Sequence, residues 1–107
     1  MKKALFILSL AGSIVLIAVA VAYSPEGDAD HGKEVFAMQK CAMCHSIAGA
    51  GGSKLALDGV GSRLNSEDIK KWIKTPRQMK AGTTMKSYPN LPEKDLKDLT
   101  AFLLTLK

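Results

Sequence analysis

Cysteine occurs only twice in this chain, at Cys41 and Cys44, and His45 follows directly. The segment Cys41-Ala42-Met43-Cys44-His45 has the C-x-x-C-H form by which c-type haem is attached. Each residue in it has its own chemical task. Two thiols separated by two residues can reach one porphyrin edge from a single tight turn, adding to the two vinyl groups as thioethers. The imidazole of His45 then lies under the iron as the proximal ligand. A chain riveted in this way to a flat apolar disc has few choices but to fold around it.

Other readings of the same residues fit less well. A redox-active Cys41–Cys44 disulfide belongs in a βαβ context, and no strand pattern surrounds these positions. A zinc site needs four ligands, and His31 would have to be the fourth. It lies upstream, outside the second C-x-x-C or H-x-x-x-H cluster that such sites use.

Residues 1–22 read as a targeting segment. Lys2 and Lys3 form a basic start, Ala4 to Ala22 is an uncharged apolar run of 19 residues, and Ala20-Val21-Ala22 fits the A-x-A cleavage pattern. The run is longer than most signal-peptide cores. At about 1.5 Å per residue it measures about 28 Å, close to the thickness of a bilayer's hydrocarbon layer. Either a cleaved signal peptide or a retained membrane anchor is expected, and both place the rest of the chain outside the cytoplasm. Residues 23–29 form a polar linker, and residues 30–107 one domain.

The full chain of 107 residues carries 15 Lys and Arg against 10 Asp and Glu. Without residues 1–22 it keeps 85 residues and a net charge of +3. Its lysines are interspersed with acids, which argues against nucleic acid as a partner. A domain of this size with few aromatics is short of core, and small domains are commonly stapled by a metal or cross-link. A covalent haem would fill that role.

Along the chain, helix periodicity places a first helix at about Asp30 to Lys40, with Gly32, Val35, Phe36 and Gln39 on one face. His31, at its start, reads as a surface or capping residue. Five glycines crowd into positions 49–61. They lack the Walker pattern of a phosphate loop and read as backbone drawn closely around the haem, with Leu55 and Leu57 pressing on the ring. Ser66 is the expected N-cap of a helix at about Glu67 to Lys74, which Pro76 ends. Its buried face is Ile69, Trp72 and Ile73, with the Trp72 indole N–H available to a haem propionate. Residues 77–91 are irregular and contain Met79 and Met85. The last helix, about Glu93 to Lys107, has a stripe of Leu96, Leu99, Phe102, Leu103 and Leu106, and a Glu93–Lys97 pair on its surface.

Taken in order, C-A-M-C-H, L-D-G-V-G-S-R at 57–63, W-I-K-T-P at 72–76, M-K-S-Y-P-N-L at 85–91 and the closing L-T-A-F-L-L-T-L resemble the class I cytochromes c of the small bacterial type. The resemblance covers about residues 29–107. It implies an all-α fold of three to four helices around one haem c. It also implies a methionine ligand from the loop before the last helix, which by position is Met85, with Met79 as the alternative. It further implies a crossing of the first and last helices at Gly32, Phe36 and Phe102. Two positions depart from the family. Lys86 follows Met85 where proline is frequent, and Lys54-Leu55 stand where Gly-Pro often precedes the leucine on the haem, so that the Leu55 carbonyl would hold the histidine N–H.

With iron bound by His45 and Met85, no coordination position is left for a substrate, and Met/His ligation raises the potential. The expectation is a one-electron carrier, not an enzyme, between respiratory partners such as a reductase and a terminal oxidase. Lys40, Lys80 and Lys86 would meet acidic docking surfaces. Two alternatives are a membrane-tethered subunit of a respiratory complex and a haem enzyme or gas sensor with a labile sixth ligand.

Overall fold

The computed structural model of the chain describes residues 12–15 and 27–107. The expected leader and its boundary at residue 22 lie outside the described residues, apart from Gly12 to Val15, which are exposed and without regular structure. Among the described residues no helix is long and apolar enough to cross a membrane.

The first helix, α1 (Ala29–Met38), starts because the Asp28 carboxylate accepts hydrogen bonds from the backbone N–H groups of Asp30 and His31, at 2.9 and 3.2 Å. Its buried face is Gly32, Val35 and Phe36. That face packs on the last helix, α5 (Glu93–Leu104), which buries Leu96, Leu99 and Leu103. A Cβ on Gly32 would sit 2.8 Å from the Cβ of Phe102 and closer still to the Asp98 backbone. Only a glycine lets the two helices approach this closely. The rings of Phe36 and Phe102 meet edge to face, 5.6 Å between centroids at 64°. The crossing expected at Gly32, Phe36 and Phe102 is therefore present.

Asp98 is buried in the same crossing, 2 % exposed, and is fully bonded. One carboxylate oxygen accepts from the Asp28 N–H at 2.8 Å; the other lies 2.6 Å from His31 Nδ1 and 2.5 Å from Lys94 Nζ. His31 thus ties α1 to α5. The ion pair on α5 is Lys94–Asp98 instead of the expected Glu93–Lys97, because Asp98 points into the crossing where its charge needs a partner.

Helix α3 (Ser66–Lys74) closes the core with Ile69 and Ile73. Its N-cap is Asn65, not Ser66: the Asn65 side chain accepts from the Asp68 N–H at 2.9 Å, and Ser66 is the first helical residue. Pro76 ends α3 as expected. It is also the first residue of a one-turn helix, α4 (Pro76–Met79), a position at which proline's missing N–H costs nothing. A second one-turn helix, α2 (Val60–Arg63), is joined to the chain end by Gly61 N–H to Leu106 C=O at 2.8 Å.

The long helices α1, α3 and α5 match the three main helices expected. The stretch after His45 adds a small sheet in the order β2-β1-β3: β1 (His45–Ile47), β2 (Ala50–Gly51) and β3 (Leu55–Ala56). β1 pairs antiparallel with β2 (Ser46 opposite Gly51) and parallel with β3 (His45 opposite Leu55). Ala48 and Gly49, both at positive φ (50° and 80°), form the two-residue hairpin turn. Strands of two or three residues are too short for alternation to show.

Candidate haem site

The chain reaches the site from α1. Lys40 adopts a left-handed conformation (φ 57°) and turns the backbone into a single 3-10 turn, Cys41–Met43. The turn is closed by Met43 N–H to Lys40 C=O at 3.0 Å and Cys44 N–H to Cys41 C=O at 3.2 Å. Both cysteines are free thiols within it. Cys41 is half-buried against the core and Cys44 is exposed. Burial pushes the Cys41 thiol above its usual pKa.

The glycines after the turn hold it from outside. Gly52 N–H donates to Ala42 C=O at 2.8 Å, and a Cβ on Gly52 would lie 2.8 Å from the Cys44 carbonyl carbon. Gly51 has φ 116°, open only to glycine at low cost. The Lys54 and Leu55 N–H groups share the Cys44 carbonyl, at 3.1 and 3.4 Å.

His45 opens β1, half-buried. Its Nδ1 lies 3.2 Å from the Leu55 carbonyl oxygen. A carbonyl can only accept, so Nδ1 carries the proton and Nε2 keeps its lone pair. The neighbouring strand thus fixes both ring orientation and tautomer, the arrangement typical of metal-binding histidines. The bond expected from the Leu55 carbonyl is made.

Of the other candidate residues Leu55 alone is bonded to this turn, and the rest come from other segments of the chain. Leu57 is buried in the core, whereas Leu55 is 56 % exposed. Trp72 is half-buried on α3. Met85 is half-buried in the irregular segment between α4 and α5, its N–H 3.3 Å from the Thr83 hydroxyl. Met79 is the last residue of α4 and also half-buried. A groove of about 520 Å³ against α3 and the start of α5, lined by Lys70, Lys71 and Lys74, includes no residue of the Cys41–His45 turn.

Tyr88 was missed by sequence reasoning. Its hydroxyl donates to the Gln39 carbonyl at 3.2 Å and its N–H to the Ile73 carbonyl at 2.9 Å, while Lys86 Nζ lies 5.2 Å from its ring centroid. Burial raises the phenol pKa, and the hydroxyl stays a donor. A Tyr-Pro pair in a loop next to the candidate ligand was the available signal, since a tyrosine hydroxyl that packs inward needs a partner.

The donor set fits a covalent haem: two free thiols on one turn, an imidazole with Nε2 open, and apolar Leu55 left facing solvent beside it. Comparison with known proteins agrees. Residues 29–107 match the cytochrome c family profile, so the chain belongs to the cytochrome c family, whose cofactor is covalently bound haem c. Cys41 and Cys44 stand at its attachment spacing.

Among individual relatives, a cytochrome c of Tetrahymena pyriformis is 33 % identical over 99 residues, covering 74 % of this chain and 89 % of that protein. Cytochrome c oxidase subunit 2 of Alkalihalophilus pseudofirmus is 33 % identical over 88 residues, again 74 % of this chain. This chain spans about a quarter of that subunit, 26 % of its length. In fold it is similar to a chain of SoxXA from P. pantotrophus (TM-score 0.68, 20 % identity, 78 % of this chain and 85 % of the other).

Proposed function

We propose that the protein carries single electrons between respiratory redox partners outside the cytoplasm, with iron held by His45 and Met85. The observation that carries this reading is the His45 Nδ1–Leu55 carbonyl bond, which presents Nε2 to a metal directly beside two attachment thiols. Bound haem c supplies a reversible one-electron couple. His45, oriented by the Leu55 carbonyl, would hold the iron through Nε2. Met85 would add a soft thioether, which favours the reduced state and leaves no position for small molecules. Leu55, Leu57 and Trp72 pack on the ring and lower the local dielectric. Lys40, Lys80 and Lys86 are exposed and meet acidic surfaces on the partners.

The relative named as an oxidase subunit favours a second form of this reading, in which residues 4–22 anchor the domain beside a terminal oxidase. Amino-terminal sequencing of the isolated protein separates a retained anchor from a cleaved leader.

The test of the ligand assignment is Met85→Ala. Its expected result is a lower reduction potential, an altered oxidised spectrum and new binding of exogenous ligands. An unchanged spectrum and potential would remove Met85 from the iron.

A further inference from the structure

Leu91 packs the segment that bears Met85 on the core, and that segment's hydrogen bonds to the rest of the fold converge on one residue. Among the described residues, every hydrogen bond that leaves positions 84–91 for another element starts at Tyr88. Its N–H reaches Ile73 on α3, at 2.9 Å. Its hydroxyl reaches the carbonyl of Gln39 at 3.2 Å. Gln39 is the C-cap of α1, where backbone carbonyls have no partner within the helix, and it stands two residues before Cys41. The Lys86 ammonium covers the phenol ring at 5.2 Å. One side chain therefore ties the end of α1, two residues before the first attachment cysteine, to the loop that would ligate the iron.

We propose that Tyr88 is the positioning residue for the Met85 sulfur: its hydroxyl, bonded to Gln39, holds the Met85 loop against the end of α1 that leads into the Cys41–His45 turn. The inference rests on the Met85 reading above. Between Lys80 and Pro92 the loop has no ladder of its own, so a lifted loop would carry Met85 away from a bound haem. An exogenous ligand binds only that lifted fraction, and its apparent affinity is scaled by the fraction open. One neutral hydrogen bond shifts such an equilibrium about fivefold to tenfold.

The test is titration of the oxidised holoprotein with imidazole, followed by visible absorption, in four forms: native, Tyr88→Phe, Met85→Ala and the double variant. Phenylalanine keeps the ring, its packing and the Lys86 contact, and removes only the hydroxyl. The expected result is about fivefold to tenfold tighter imidazole binding in Tyr88→Phe. Met85→Ala binds more tightly still, and Tyr88→Phe adds nothing in that background. If Tyr88→Phe binds imidazole like the native protein while Met85→Ala binds it tightly, the proposal is overturned and the ligand reading stands. The same holds where the unfolding midpoint of Tyr88→Phe drops without a change in imidazole affinity, because Tyr88 is then only structural. An effect of equal size in the Met85→Ala background also overturns it. If Met85→Ala itself leaves imidazole binding unchanged, the ligand reading fails and the proposal falls with it.

Discussion

His31 and Asp98, 67 residues apart in sequence, meet at 2.6 Å inside the crossing of α1 and α5. The carboxylate is 2 % exposed, yet all its neighbours donate to it: the Asp28 N–H, Lys94 and His31. Those bonds hold its pKa down to about 2, the Asp28 N–H contributing most. Asp98→Ala should cost about 1–3 kcal/mol of unfolding free energy, since it removes the buried acceptor that the part-buried Asp28 N–H and His31 share at the crossing. A depressed carboxyl pKa stabilises the fold above the unfolded value of about 4, and that contribution is lost as pH falls toward 2. Denaturant unfolding of the native protein and Asp98→Ala should therefore give a gap that narrows between about pH 4 and pH 2, while other titrating groups cancel.

Gly32→Ala should separate the same two helices. The added methyl has no room against the Asp98 backbone and the Phe102 side chain. The expected cost is about 3 kcal/mol, which in a domain this small lowers Tm by more than about 10 °C. Thermal melts of the holoprotein followed by circular dichroism measure it; a melt within 2–3 °C of native would show that the crossing yields.

Gly52→Val should impair maturation more than stability. Gly52 lies against the backbone of Met43 and Cys44, so a side chain there displaces the turn that must offer both thiols to one porphyrin edge. The expected outcome is a lower haem-to-protein ratio after expression, read from the pyridine haemochrome and intact mass. Gly82→Val serves as the control, since a Cβ there meets nothing within 4 Å.

Lys80→Glu should slow electron transfer to a partner with an acidic docking surface. The lysine is exposed, so its contribution is to steering: the second-order rate should fall severalfold at low ionic strength and converge with native at high salt. Stopped-flow kinetics across a salt series provides the measurement. A rate unchanged at low salt would remove Lys80 from the docking face.

The helices were legible because their signals are local. Gly32, Val35 and Phe36, Ile69 and Ile73, and Leu96, Leu99 and Leu103 repeat at helical spacing, and each group is buried. The C-x-x-C-H turn was legible because its spacing is its chemistry. The sheet was not, since His45 finds its partner at Leu55 through two glycine-bearing bends and strands too short to alternate. Asn65 and Ser66 are both good caps, and only the reach to Asp68 N–H separates them. Asp98 and Tyr88 were missed for a common reason. Each side chain is turned inward by a hydrogen bond that spans more than 45 residues, Asp98 to Asp28 and His31 and Tyr88 to Gln39, and helix periodicity does not register such a bond.

Gly27 reaches the fold at a left-handed φ of 87°, and a Cβ there would stand 2.7 Å from the Lys97 carbonyl oxygen. With Asp28 it is clasped to α5 at one end of α1, and the thioether turn follows the other end, about 15 Å away. A pull exerted by whatever precedes residue 27 is thus borne first by the clasp on α5. The Cys41–Cys44 turn stands one helix length downstream of that clasp, so a load applied there reaches it only through α1.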